Sequence, residues 1–364
     1  MNSKNTYQLL VEDFSTEAKI CFYKACLQQK WNNNTYYRYE YLNYYENENN
    51  TLKYFIFKKD NEAIILMPFL LRVISVLNQT TNYFDVTTPY GYGGPLLIEN
   101  LPEEEYQEFW KHVKNWYKNN GVVTEFVRFG LIDNQHFYDG YLLPTLKNIK
   151  GRILKDQEQQ WDAFLPKVRN NYRAACNHNL SFKIFNKEAI TSIVISSFYE
   201  IYMDTMKRRS ATSYYYFSNS YFQNLILSNP NNFYIAFTYF ENKPISTELI
   251  IGYKDDIYAF LGGTLSEYFE CRPNDFLRVE VIKWASINQK KSYILGGGRV
   301  DGDGLYKNKK ALFPKDDDVV FYTGRKVIDE DAYEYLNQLA SEKSSDANIQ
   351  VDEHFFPKYR KFCT

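Results

Sequence analysis

The chain has 364 residues, enough for two domains that each bury a core, and its 43 basic against 44 acidic residues leave a net charge of −1. That balance excludes the global basic bias of a dedicated nucleic-acid binder, so no DNA partner is expected and any polyanion contact must come from a local patch. Five scattered cysteines and four histidines argue against a disulfide framework, a metal site or a His-centred triad, and point to a reducing, cytoplasmic setting.

No run is long and apolar enough for a membrane span, and Met1-Asn2-Ser3-Lys4 leads into no apolar leader segment. Tyrosine is abundant, at 34 residues. Its ring and hydroxyl suit stacking on sugars or bases, but a compositional drift toward Asn, Lys, Tyr and Ile accounts for most of the excess.

In chain order, Leu52 to Phe57 and Ala63 to Val76 flank Lys59-Asp60-Asn61, which predicts a hairpin with a charged turn. Tyr83 to Thr87 reads as a strand running into Thr88-Pro89-Tyr90-Gly91-Tyr92-Gly93-Gly94-Pro95, where three glycines and two prolines exclude helix. A helix starts at Pro102-Glu103-Glu104-Glu105, with acids at the positive end of its dipole and Tyr106, Phe109, Trp110, Val113, Trp116 and Tyr117 at helical spacing. Val122 to Phe129 is then a strand.

Beyond Gly151-Arg152 and the polar run Lys155 to Gln160, read as a linker, the same grammar repeats. Helices are expected at Trp161–Asn177, at Ala189–Arg208 and after Ser218, which can cap its helix. Strands are expected at Phe182–Phe185, Phe233–Phe240, Ile245–Ile251 and Tyr258–Leu261. The tail adds a helix near Ala332–Leu339 and a polar, mobile stretch, Ser341–Asn348. The expected class is α/β with mixed sheets: an N-terminal domain over 1–155, a C-terminal domain over 156–325 carrying the functional site, and a tail over 326–364.

The most telling stretch lies between residues 245 and 314. Strand Ile257 to Leu261 ends at Gly262-Gly263, a helix follows Arg272-Pro273-Asn274-Asp275, and strand Ser292 to Leu295 ends at Gly296-Gly297-Gly298. Strand, helix, strand with glycines at both tips reads as a parallel βαβ unit, and ligands bind beyond the carboxyl ends of such strands. Plain turn glycines would give the same pattern. Arg272 and Asn274 stand at a helix N-terminus, a natural anion site, although this one lacks the glycines of a well-built phosphate loop.

Glu248 lies among apolar strand residues, level with Ile250, where a raised pKa suits a general base taking a proton from an attacking amine. An exposed edge-strand glutamate is the alternative. Lys309 or Lys310 could supply positive charge to an oxyanion or a phosphate. Arg169 and Arg173 share a helix face and Arg208-Arg209 closes the next helix, as solvated faces commonly do. Tyr214-Tyr215-Tyr216-Phe217 fits a core segment better than an aromatic wall.

The Thr88–Pro95 loop, Arg169…Arg173, Tyr202…Thr205-Met206…Arg209…Tyr215…Phe217, Leu295-Gly296-Gly297-Gly298 and Asp303-Gly304-Leu305-Tyr306-Lys307-Asn308-Lys309, in that order, resemble the Fem-type transferases. These are the peptidoglycan-bridge aminoacyltransferases and their acyltransferase relatives in the GNAT superfamily. The resemblance, from about Lys53 to Gly324, implies two tandem GNAT-like domains and transfer at the splayed parallel strands of the second. It implies no permanently bound cofactor, with acyl-CoA or aminoacyl-tRNA as donor substrate, and a nucleotide- or lipid-linked cell-envelope glycan precursor as acceptor. Lys309 matches the lysine of the family's C-terminal aromatic-lysine pair, although Asn308 replaces the aromatic residue. The family's pyrophosphate loop would fall at Cys271–Asp275, where no glycine occurs, and the long coiled-coil arm of some members is missing.

The sequence therefore predicts a transferase with Glu248 and Lys309 catalytic. Tyr92, Gly93, Arg173, Arg208, Arg209 and Tyr215 are expected to hold the acceptor, and Gly262, Gly263, Arg272, Asn274 and Gly297 the donor. A catalytically silent module that binds a sugar nucleotide or glycan is the alternative.

Overall fold

A computed structural model describes residues 5–31, 34–76, 79–341 and 355–362. The chain forms two compact units, one of residues 1–145 with 321–364 and one of residues 146–320.

The first unit opens with β1 (Tyr7–Asp13), α1 (Glu17–Trp31) and the single turn α2 (Tyr39–Leu42). The expected hairpin follows as β2 (Asn50–Lys59) and β3 (Glu62–Val76). Asp60 and Asn61 take φ of 48° and 70°, the left-handed pair that a tight two-residue hairpin turn requires. Then come β4 (Gln79–Thr87), the two-residue β5 (Leu96–Leu97), α3 (Glu103–Asn119) and β6 (Val122–Arg128). α3 starts after Pro102 with its three acids in the first turn and buries Tyr106, Phe109, Trp110, Val113 and Tyr117. These pack on Phe55, Phe57, Val86 and Val127 of the sheet.

Residues 141–152, ending in the stretch read as a linker, instead form β7 (Tyr141–Arg152). The polar Lys147, Asn148 and Lys150 hid it, yet Ile149 is buried and Gly151 lies so close under the Phe313 ring that a Cβ there would collide with it.

The second unit continues with α4 (Gln157–Ala163) and α5 (Pro166–Cys176), where one helix was expected. Pro166 explains the break: it pushes the preceding residue out of helical geometry, and Leu165 has ψ 150°. Arg169 then donates to the carbonyls of Asp162 and Phe164 at 3.1 and 2.6 Å, closing α4. Next come β8 (Ser181–Asn186), α6 (Ser192–Arg208), α7 (Asn219–Leu227, with Ser218 capping Tyr221 N), β9 (Phe233–Phe240) and β10 (Lys243–Tyr253). β11 (Asp256–Thr264), α8 (Pro273–Ile287), β12 (Ser292–Gly296) and α9 (Gly304–Lys310) complete it. Its strand order is β7-β12-β11-β10-β9-β8, antiparallel except for the β11–β12 pair. α8 buries Leu277, Val281, Ile282 and Ala285 in a core with Ile250, Ile257 and Tyr293.

β13 (Asp318–Val327) leads back to the first unit, where its Thr323–Val327 pairs with β6. α10 (Glu330–Ser341) buries Ala332, Leu336 and Ala340 against Ile74, Val76 and Val123. The division thus differs from the sequence expectation: the first unit closes at Thr145 and takes in residues from 321 on, where α10 and Tyr359 pack into its core. The polar tract expected to be mobile lies, past Ser341, outside the described residues.

Candidate functional site

The parallel βαβ unit forms as expected, but its two strands stay together only briefly. Asp256, Ile257 and Tyr258 of β11 pair with Ser292, Tyr293 and Ile294 of β12. Beyond them β11 continues to Thr264 paired only with β10, while Gly296 of β12 turns to Ile149 of β7. Burial changes at the same point. Ile257 and Tyr258 are buried and Ala259 to Gly263 are half-exposed; Ser292 to Leu295 are buried and Gly296 to Gly298 half-exposed. Gly262 and Gly263 therefore lie within β11, on the stretch that has left its parallel partner, rather than past its end.

A register shift between Leu249 and Ile250 steps over Phe260 in the ladder, so Ala259 and Gly262 both fall on the face of Glu248. Gly262 sits directly opposite Glu248. On that face Glu248 is 4% exposed, and both of its carboxylate oxygens are engaged. Oε1 accepts the Tyr293 hydroxyl from β12, and Oε2 lies 3.3 Å from the Arg278 guanidinium of α8. Burial pushes the Glu248 carboxyl up, against the pull of Arg278 and Lys309.

Lys309, on α9, completes the cluster. Its Nζ donates to the Gly297 carbonyl at 2.7 Å, just past the end of β12. Burial, and then Arg278, bring its pKa down to about 8, with Glu248 and Asp303 opposing. Asp303 caps α9 by accepting from Tyr306 N at 2.7 Å. Lys310 is engaged elsewhere, in an ion pair with Asp318 at 2.8 Å. Of the two lysines, it is Lys309 that faces Glu248.

Sequence reasoning singled out Glu248 and Lys309 but not Arg278 and Tyr293, which the structure places against Glu248. Arg278 carried a readable signal: an arginine between buried Leu277 and Val279, four residues before buried Ile282, is out of place without a buried partner. Tyr293 read only as one apolar residue of a strand.

The remaining residues are more dispersed. Arg272 takes a left-handed φ of 52° as the cap of α8, its guanidinium bonded to Asn171 of α5. Asn274 is exposed in the first turn of α8. Arg208, exposed, lies over the Phe269 ring at 4.8 Å and donates to the Thr264 carbonyl at 3.1 Å. It thus neighbours the turn that leads to Arg272. Arg209 caps α6 and is exposed. Arg173 lies over Trp161 at 5.3 Å, away from both Arg208 and the Glu248 cluster in its contacts. Tyr215 is half-buried and gives its carbonyl to the Tyr202 hydroxyl at 2.6 Å, while of the same segment Phe217 is buried and Tyr216 exposed.

Gly263 has a packing reason. A Cβ there would lie 2.6 Å from the Ile201 carbonyl oxygen of α6. Gly297 likewise faces the Lys147 carbonyl, 2.7 Å from where its Cβ would be.

Tyr92 and Gly93 belong to the first unit. Tyr92 meets Tyr36 and Phe321 edge-on at 5.2 and 5.8 Å, and burial raises its phenol pKa. The Gly93 N–H donates to the Arg128 carbonyl at 2.9 Å, and buried Asn134 donates to the carbonyls of Gly93 and Pro95 at 2.8 and 2.9 Å.

Residues 166–308 match the family model described as the acetyltransferase (GNAT) domain, a span inside the second unit that ends one residue before Lys309. The crystal structure of FemX is similar over 90% of this chain and 99% of its own, with a TM-score of 0.63 and 11% identity. The C-terminal domain of a putative lysylphosphatidylglycerol synthetase from Agrobacterium fabrum matches over 85% of this chain and 92% of its own, with a TM-score of 0.54 and 10% identity. A tandem GNAT protein from the clavulanic acid biosynthesis pathway matches over 88% and 98%, with a TM-score of 0.51 and 8% identity. None of the curated proteins matches the sequence. At such identities the likeness lies in the fold, and there the resemblance read from the sequence holds: the chain is Fem-like in fold, an α/β protein whose residues 166–308 carry a GNAT domain.

Proposed function

We propose that the protein is an acyltransferase that moves an acyl or aminoacyl group from acyl-CoA or aminoacyl-tRNA onto an amine, or a hydroxyl, of a nucleotide- or lipid-linked cell-envelope glycan precursor. One observation carries the reading: β11 and β12 part after three residue pairs, and the cluster of buried Glu248 with half-buried Arg278 and Lys309 sits beside that parting. A donor lying as an extra strand in such a wedge gains backbone hydrogen bonds and presents its carbonyl to a fixed set of charges. The GNAT match and the names of the FemX and lysylphosphatidylglycerol synthetase neighbours support acyl transfer and an envelope acceptor. Arg208, Arg272 and Asn274 would meet the donor's phosphates near the N-terminus of α8. Arg173, Arg209 and Tyr215 of the second unit remain the residues proposed for the acceptor.

The test incubates the protein with a nucleotide-linked cell-wall peptide precursor and, separately, a panel of acyl-CoAs or charged tRNA, and follows acceptor mass. One donor class should add one acyl mass. tRNA dependence should come with salt-sensitive binding, because phosphate contacts release counterions. Thermal stabilisation by the precursor without product from any donor would refute transfer and leave the silent binding module.

A further inference from the structure

A carboxylate serves as a general base only if an oxygen lone pair can reach the proton it is to take. Each Glu248 oxygen already has a partner, and the residue is only 4% exposed to an incoming substrate. The Tyr293 hydroxyl occupies one oxygen, the Arg278 guanidinium faces the other, and the side chain lies on the α8-covered face of the sheet. Lys309 is placed differently. It is half-buried, its Nζ lies at the end of β12 where the strands have parted, and the Gly297 carbonyl takes one of its N–H groups. In a neutral amine that bond leaves the lone pair only two directions to take.

We infer that Lys309 exchanges the proton with the attacking amine, and that Arg278 and Tyr293 are positioning residues that hold Glu248 as a fixed counter-charge beside it. The inference rests on the transferase reading for its chemistry. The acceptor nitrogen forms a bond to the donor carbonyl carbon and passes its surplus proton to neutral Nζ. The C–S bond of a thioester, or the C–O bond of an ester, breaks, and the departing sulfur or oxygen takes that proton back. Nothing is oxidised or reduced. While protonated, Nζ is an ammonium able to stabilise the oxyanion, the role the sequence assigned to it.

The groups facing Lys309 set its proton affinity from every side: Glu248 from β10, Arg278 from α8, Asp303 from the α9 cap, and the Gly297 carbonyl. With a pKa of about 8, about one Lys309 in ten is neutral at pH 7, against about one in three thousand for an ordinary lysine. Glu248 works against neutrality and Arg278 for it, so the pair tunes the lysine in opposite directions.

The experiment needs no substrate. Protein carrying lysine labelled with 13C at Cε is titrated by NMR, and the Lys309 signal is assigned by its loss in Lys309→Arg. It should titrate near 8, move down by about one unit in Glu248→Gln and move up in Arg278→Gln. Tyr293→Phe should move it down by less, and serves if Glu248→Gln fails to fold. Titration at the ordinary lysine value, or no movement in Glu248→Gln and Tyr293→Phe, overturns the inference. With a donor and acceptor that the wild type turns over, the rising pH–rate limb of Glu248→Gln should shift to lower pH in step with the Lys309 titration. A loss of about a thousandfold at every pH would make Glu248 the base and also overturn it. If the wild type transfers nothing, the function reading fails while the titration still decides the arrangement of charges.

Discussion

Gly263 separates two accounts of the same residue. From sequence it is a glycine that lets a donor approach; in the structure it lets α6 lie against β11. An added Cβ would stand 2.6 Å from the Ile201 carbonyl oxygen and 2.7 Å from the Thr205 hydroxyl. The hydroxyl is itself committed, accepting from Thr264 N at 2.9 Å, so neither atom yields by a simple rotation. Gly263→Ala therefore pushes α6 outward by about 0.8 Å to restore ordinary contact in a close-packed layer. Overpacking of this kind costs about 1–3 kcal/mol. At about 2–4 °C per kcal/mol for a unit of this size, melting should fall by about 2–12 °C. Calorimetry reads the shift, and hydrogen exchange by mass spectrometry should place the loss of protection in α6 and β11. An unchanged melting temperature, with donor-dependent stabilisation lost instead, would refute the packing argument and return Gly263 to the ligand.

Other outcomes follow from the same reasoning. Asp85 is fully buried, with Arg72 Nε at 2.7 Å and Arg360 Nε at 2.8 Å, so the 355–362 segment is clasped onto the first unit by charge. Arg360→Met should cost about 3 kcal/mol, the low end for breaking a buried pair because Arg72 stays, and denaturant unfolding that matches the wild type would contradict it. Asp303 accepts from the backbone of Tyr306 and Arg299, and these bonds hold its carboxyl below the ordinary value. A group depressed on folding stabilises above its unfolded pKa and is lost as pH falls through the folded one. Protection of the α9 amides against exchange should therefore decline below about pH 4 in the wild type and stay flat in Asp303→Asn. Asp303→Ala should weaken α9 at neutral pH as well, and equal exchange rates would show that the cap is idle.

Local chemistry was legible wherever one short-range rule decided the outcome. The Asp60-Asn61 turn, the acidic start of α3, the Ser218 cap and the β9 span all appear where the sequence puts them. Pro166 was legible too and went unread, since the residue before a proline seldom stays helical. β7 was not, because Pro144 interrupts it, Lys147-Asn148 breaks any alternation, and its Gly151 answers to a phenylalanine ring more than 160 positions away. The site divides in the same manner. Glu248 and Lys309 stand out locally, whereas the Arg278 and Tyr293 contacts that fix their roles depend on which strand lies beside which.

The chain makes the same supersecondary unit twice, and the contrast shows why glycine patterns alone could not find the wedge. In the first unit β4 and β6, joined through α3, run parallel from the Phe84–Val122 pair to Thr87–Phe126, and a parallel bridge between Gly93 and Phe129 continues beyond. Those strands remain hydrogen-bonded to their tips, and the glycine-rich loop after them is tied back by Asn134. In the second unit, pairing stops at Tyr258–Ile294, six residues before β11 ends. Among the described residues, β12 gives the rest of β11 no further ladder pairs. A donor laid along β11 would supply them. Both units carry glycines beside a parallel strand pair, but in the second the ladder opens early, next to a lysine whose pKa burial brings down to about 8. The difference lies in where the ladder opens rather than in which residues line it.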